Sequence, residues 1–128
     1  MAQKILAIMG ALLVFLGIVG FIPGVTSEAK LLGLFSAAEN TLSAIHLVAG
    51  IIALLFSRFD TTKAAMLAKI LGLFFAVIAV IGLIQGEAVL GLFAVNLADN
   101  LFHVALAILF LVAGLGKLTP NPDLATAA

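Results

Sequence analysis

The 128-residue chain contains no cysteine, no tryptophan and no tyrosine, and each absence closes off some chemistry. Without cysteine there are no disulfides, thiolate metal sites, iron–sulfur clusters or thiol nucleophiles. Without tryptophan and tyrosine, the aromatic belt usual at a membrane interface has only the ten phenylalanines to draw on. Charge is also scarce. Six basic and six acidic residues cancel, and no run of Lys or Arg stands ready to neutralise a line of phosphates, so nucleic acid is not an expected partner. What fills the chain is hydrocarbon: 65% of residues are hydrophobic and only 9% charged, with a mean hydropathy of +1.38. A soluble domain is about 45–50% apolar and about 25% charged, so the composition is that of a membrane protein.

A bilayer core about 30 Å thick needs about 20 helical residues, and four segments qualify: Lys4 to Ile22, Leu42 to Phe59, Ala64 to Ile84, and Leu97 to Gly116. The runs are continuous rather than alternating, which selects helices over a barrel. The first run is longer than a signal-peptide core of about 7–15 residues and "PGVTSEAK" offers no small-residue cleavage site, so it reads as a retained span. Pro23-Gly24 should stop it. The short polar "SRFDTTK" should make spans two and three antiparallel neighbours.

The spans form two pairs with the same internal order. "KIL" occurs at Lys4 to Leu6 and again at Lys69 to Leu71, each with a glycine thirteen residues after its lysine, Gly17 and Gly82. "LGLF" occurs at Leu32 to Phe35 and at Leu90 to Phe93, followed by Asn40 and His46 in one case and by Asn96, Asn100 and His103 in the other. A duplicated two-helix unit explains this order. One all-α, four-span transmembrane domain is expected, with repeat 1 over about residues 1–59, repeat 2 over about 60–117 and a flexible tail over 118–128. Two spans return the chain to its starting side, so the repeats should be parallel and bring His46 and His103 to one depth. Lys4, Arg58, Lys63, Lys69 and Lys117 fall on the side of the termini, against Lys30 with Glu28, Glu39 and Glu87 on the other. The bias predicts cytoplasmic termini in an inner or plasma membrane. The "LGLF" stretches then belong to the outer face, as interfacial or re-entrant turns carrying Phe35 and Phe93 at headgroup depth.

Polar groups inside such a chain need partners. In "NLADNLFH", Asn96, Asp99, Asn100 and His103 share one helical stripe that continues through Ala107 and Gly114; Glu39, Ser43, His46, Gly50, Ala53 and Ser57 do the same in span two. Polar residues above small ones mark a face turned to other helices. Gly10, Gly17 and Gly20 in span one, and Gly72, Ala76, Ala79 and Gly82 in span three, provide matching close-packing faces.

Two readings follow. In the structural one, the polar residues fasten the repeats together, His46 through Ser43 or Asn40 and His103 through the neighbours of Asn100. In the other, His46 and His103 are axial ligands of a tetrapyrrole, haem or chlorophyll, with Asn40, Ser43, Asn96 and Asn100 as supporting partners. No CxxCH attachment motif accompanies it. A zinc or copper site of His46, His103, Asp99 and Glu39 is allowed by ligand type but lacks a metal-binding spacing. Catalysis is not expected, because Ser43 beside His46 is more simply bonded to its own backbone. A carrier would want ionisable groups at the midplane, which carries none.

The segment "LGLFAVNLADNLFHVALAILFLVAGLG" resembles the signature of an uncharacterised prokaryotic family of small four-span membrane proteins, the domain of unknown function 4383. The pattern Gly-Leu-Phe-x-Val-Asn followed by Asn-x-x-His maps onto Gly91, Leu92, Phe93, Val95, Asn96, Asn100 and His103. Asp99 stands where members often carry another histidine, and Ala107 where glycine is common. The resemblance implies the four-span layout and no particular activity. A non-enzymatic accessory or structural subunit, associating with lipid and with other membrane subunits or itself, is the leading expectation; a tetrapyrrole protein is the alternative and an oligomeric channel or carrier the weaker one.

Overall fold

The computed structural model describes residues 1–22, 26–27, 30–31, 35–36 and 40–116, with side chains for 1–22 and 40–116. Four helices carry the fold: α1 (Ala2–Val19), α2 (Asn40–Phe56), α3 (Thr61–Gln85) and α4 (Leu97–Leu115). Short strands join them at one end. β1 (Thr26–Ser27), β2 (Lys30–Leu31) and β3 (Phe35–Ser36) make an antiparallel sheet between α1 and α2, and β4 (Ala88–Val89) pairs with β5 (Phe93–Ala94) between α3 and α4.

The protein is a polytopic all-α membrane protein. Helices α1, α3 and α4 are long and apolar enough to cross a membrane, and α2, with 17 residues, is shorter but equally apolar. Its surface is inverted relative to a soluble protein. Ile8, Phe15, Val48, Leu73, Ile84 and Ile108 are exposed while Ser43, His46, Asp99, Asn100 and His103 are buried.

Local chemistry sets the helix ends. The first span stops at Val19 rather than Ile22, because Phe21 and Ile22 donate to the carbonyls of Ile18 and Val19 in tightened turns; Ile22 precedes a proline and is biased away from the helical region. The second span is shifted, beginning at Asn40 and ending at Phe56, where Arg58 and Phe59 make the same tightened bonds to Leu55 and Phe56. Asp60 starts α3 three residues before the apolar run, its carboxylate accepting from the Lys63 backbone N–H at 3.0 Å.

Within each half the helices pack closely. In lipid there is no hydrophobic drive to bring helices together, so close backbone approach must supply the attraction. Gly10 meets Gly50 and Ala53, Gly17 meets the backbone of Leu47, Gly72 meets Leu111, and Gly114 meets Ala65 and Lys69. The glycine faces therefore work within each hairpin, α1 on α2 and α3 on α4. Between the halves a core of Leu6, Leu13, Ala53, Phe75, Leu106 and Phe110 fills the centre. The seam between α2 and α3 is much less intimate than either hairpin, although only a short turn joins them.

The strands exchange partners. β3 of the first half lies against α4, and β5 of the second half lies against α2. The interfacial or re-entrant turn expected around the second "LGLF" takes the form of the β4–β5 hairpin. Phe93 is buried, 5% exposed, with Leu42, Ile78, Val89 and Val95, turned inward by the strand pairing rather than outward to solvent or lipid. The side chain of Phe35 lies outside the described residues. The turn of the second hairpin places Leu90 (φ 53°) and Gly91 (φ 70°) in the left-handed region, and the Leu90 N–H donates to Gln85 Oε1 at 2.7 Å.

Candidate functional site: a buried imidazole pair

His46 lies about two turns into α2 and His103 about two turns into α4. They meet between the halves with their Nε2 atoms 3.2 Å apart. His103 has no exposed surface and His46 only 5%. The two histidines thus share a depth, as parallel repeats require. They do not use the neighbours expected of them: His46 bonds to His103 rather than to Ser43 or Asn40, because both rings point into the seam instead of back along their own helices.

Phenyl rings enclose the pair. Phe75 of α3 stacks on His103 at 5.6 Å between centroids, Phe102 stands edge-on to His46 at 5.9 Å, and Phe110 continues the stack beneath Phe75 at 6.1 Å. Phe75 and Phe102 were not singled out from sequence. Phe75 occupies the position that the "KIL" alignment matches to Gly10, so a departure from the repeat was its available signal.

The pair's hydrogen-bond polarity follows from its surroundings. One ring must donate Nε2–H and the other accept, and a neutral accepting ring carries its proton on Nδ1. Among the described residues no partner reaches Nδ1 of His103. A stranded N–H is rarer and more costly in a buried site than an under-used acceptor. His46 Nδ1 is not among the enclosed atoms without a partner, and its ring is the less buried of the two, so His103 is assigned as donor and His46 as acceptor.

The other predicted residues divide. Ser43 is buried, with its hydroxyl over Gly20 of α1, and Asn100 is buried, with its amide oxygen in the notch left by Gly82 of α3. Each sits one turn before its histidine and wedges its own hairpin. Asn100 Oδ1 has no hydrogen-bond partner among the described residues. Asn96 caps α4: its side chain accepts from the Asp99 N–H and its own N–H donates to the Asp99 carboxylate, both at 2.9 Å. This reciprocal box accounts for the fully buried Asp99, and Asn-x-x-Asp before an apolar run was its legible signal. Asn40 is exposed and stands apart from the pair, since it begins α2 at the rim. Glu39 lies outside the described residues. Among the described residues no group of three or more His, Cys, Asp or Glu is placed to hold a metal ion.

Comparison with curated proteins finds no match, and comparison with solved structures finds none. One family model covers residues 3–116, spanning all four helices and the imidazole pair. The chain belongs to the family described as Domain of unknown function (DUF4383).

Proposed function

We propose that the protein is a non-catalytic accessory or structural module of the cell membrane, working within a larger membrane assembly or as an oligomer of itself. The observation that carries this reading is the open seam between the halves. Along α2 and α3 runs an apolar groove of about 500 Å³, lined by Ala44, Val48, Ala49, Ile52, Leu67 and Leu71 and open to the bilayer. Among the described residues none of the buried polar side chains lines it, and Thr41 is the polar residue in its lining. The groove offers hydrocarbon and small side chains, the surface against which another transmembrane helix packs. The basic residues near the helix ends Ala2 and Thr61 support cytoplasmic termini in the inner or plasma membrane.

A photo-crosslinking residue at Val48, activated in native membranes, tests the proposal. A polypeptide adduct is expected, its mass separating a second copy from a different subunit. Adducts to lipid alone, together with a monomer in native-membrane nanodiscs, would overturn it.

A haem or chlorophyll held by His46 and His103 is favoured by their shared depth and opposed by their spacing. Two metal–imidazole bonds of about 2.0–2.1 Å placed end to end need about 4 Å, whereas the nitrogens are 3.2 Å apart and bonded to each other. A Soret or chlorophyll band lost in His46→Ala and His103→Ala would restore that reading.

A further inference from the structure

Lys4 and Lys69 stand at the head of lipid-facing stripes. On α1, exposed Lys4 is followed at helical spacing by exposed Ile8, Leu12 and Phe15. On α3, exposed Lys69 shares its face with exposed Met66, Leu73, Val77 and Val80. Both lysines belong to the repeated "KIL", so they occupy corresponding places in the two halves. The stem of Lys69 is laid along α4, close enough that a side chain at Gly114 would strike its Cγ at 2.5 Å.

A lysine on an apolar stripe near a helix end buries its methylenes and sends its ammonium to the headgroups. Helical side chains lean toward the N-terminus, and for both helices that is the nearer membrane boundary. Among the described residues no side chain is recorded meeting either ammonium there. Among the described residues, the carboxylate at this end is Asp60, and it is engaged with Lys63 at 3.5 Å as well as capping α3. The other described carboxylates, Glu87 and Asp99, lie at the opposite end.

We infer that Lys4 and Lys69 form two corresponding contact points, one per half, for the phosphate of anionic phospholipids, whose acyl chains lie along the apolar stripes below. Arg58 and Lys63, in the turn before α3 and its first residues, are not part of these sites: Lys63 is held by Asp60 and lies over the Phe59 ring at 5.8 Å.

The test uses the full chain in mild detergent, with native mass spectrometry of bound phosphatidylglycerol against phosphatidylcholine of the same acyl chains. Preferential retention of phosphatidylglycerol is expected, falling about fivefold per lysine removed in Lys4→Gln and Lys69→Gln, restored in the Arg variants, and little changed in Arg58→Gln/Lys63→Gln. Equal retention of both lipids, an unchanged preference in the Lys4→Gln/Lys69→Gln double variant with its helicity intact, or displacement by inorganic phosphate as effective as by the lipid would overturn the inference.

Discussion

His103 donates and His46 accepts a single hydrogen bond across the boundary between the two halves, Nε2 to Nε2 at 3.2 Å. Among the described residues it is the buried polar link between the hairpins, which meet otherwise through hydrocarbon and, on the exposed side, through Gln3 donating to the Thr61 hydroxyl at 3.3 Å. Replacing one ring strands the other. His103→Leu or His46→Leu alone should therefore cost about 1–3 kcal/mol, and the double variant less than the sum. Reversible unfolding in mixed detergent should return a coupling between the sites of about 0.6 kcal/mol and no more than about 1.7. Strict additivity would show that the contact contributes nothing.

The assignment of His103 as donor has a direct spectroscopic consequence. Nitrogen-15 spectra at neutral pH should show the proton of His103 on Nε2 and that of His46 on Nδ1. The reverse pattern would place a buried N–H at His103 Nδ1, where no acceptor is found among the described residues, and would require another group to reach it.

Gly17 and Gly86 should respond differently to alanine. A methyl group on Gly17 would stand 2.6 Å from the backbone nitrogen of Leu47, whereas Gly86 has open space around it but a φ of 87°. Gly17→Ala should force α1 from α2 at about 1–3 kcal/mol and should weaken the α1–α2 hairpin in crosslinking between the two helices. Gly86→Ala should cost about 1 kcal/mol through backbone strain alone and leave that crosslinking unchanged.

Leu90 holds a left-handed conformation (φ 53°) with its side chain exposed. Leu90→Gly should relieve about 1 kcal/mol of strain at little loss of packing, raising the thermal midpoint. A lower midpoint would mean that the leucine makes a contact outweighing its strain.

Asp60 lies outside the apolar spans, and its backbone hydrogen bond from Lys63, followed by the charge of that lysine, holds its carboxyl below the usual range. A depressed folded-state value means that its contribution is complete above the ordinary aspartate range and disappears as the pH falls through the folded value. Asp60→Asn should flatten the acid limb of stability against pH by lowering the neutral plateau slightly, with little change once the pH is below the folded value.

Much of this arrangement was legible in the chain because it follows from burial and period. The four apolar runs fixed the helices, and the repeated order of asparagine and histidine placed His46 and His103 at one level. The direct bond between them was not legible, since depth along a helix says nothing of which way a ring turns across a seam. Phe75 was hidden for a related reason: a phenylalanine in an apolar span carries no mark separating a bundle centre from a lipid face. The strands escaped notice because two-residue pairings are too short to show alternation. Asn40 is expected beside the imidazoles because the repeated order sets an asparagine before each histidine, and order along the chain says nothing of burial: Asn40 begins α2 and is exposed.

The exchange of strands has a consequence for assembly. Because β3 lies against α4 and β5 against α2, while β4 stays on its own α3, each half lends a strand to cover the other. During synthesis the first hairpin therefore lacks its contact with β5 until the second half arrives. Severing the chain in the turn between Phe56 and Thr61 should accordingly leave two pieces that recover their structure only together.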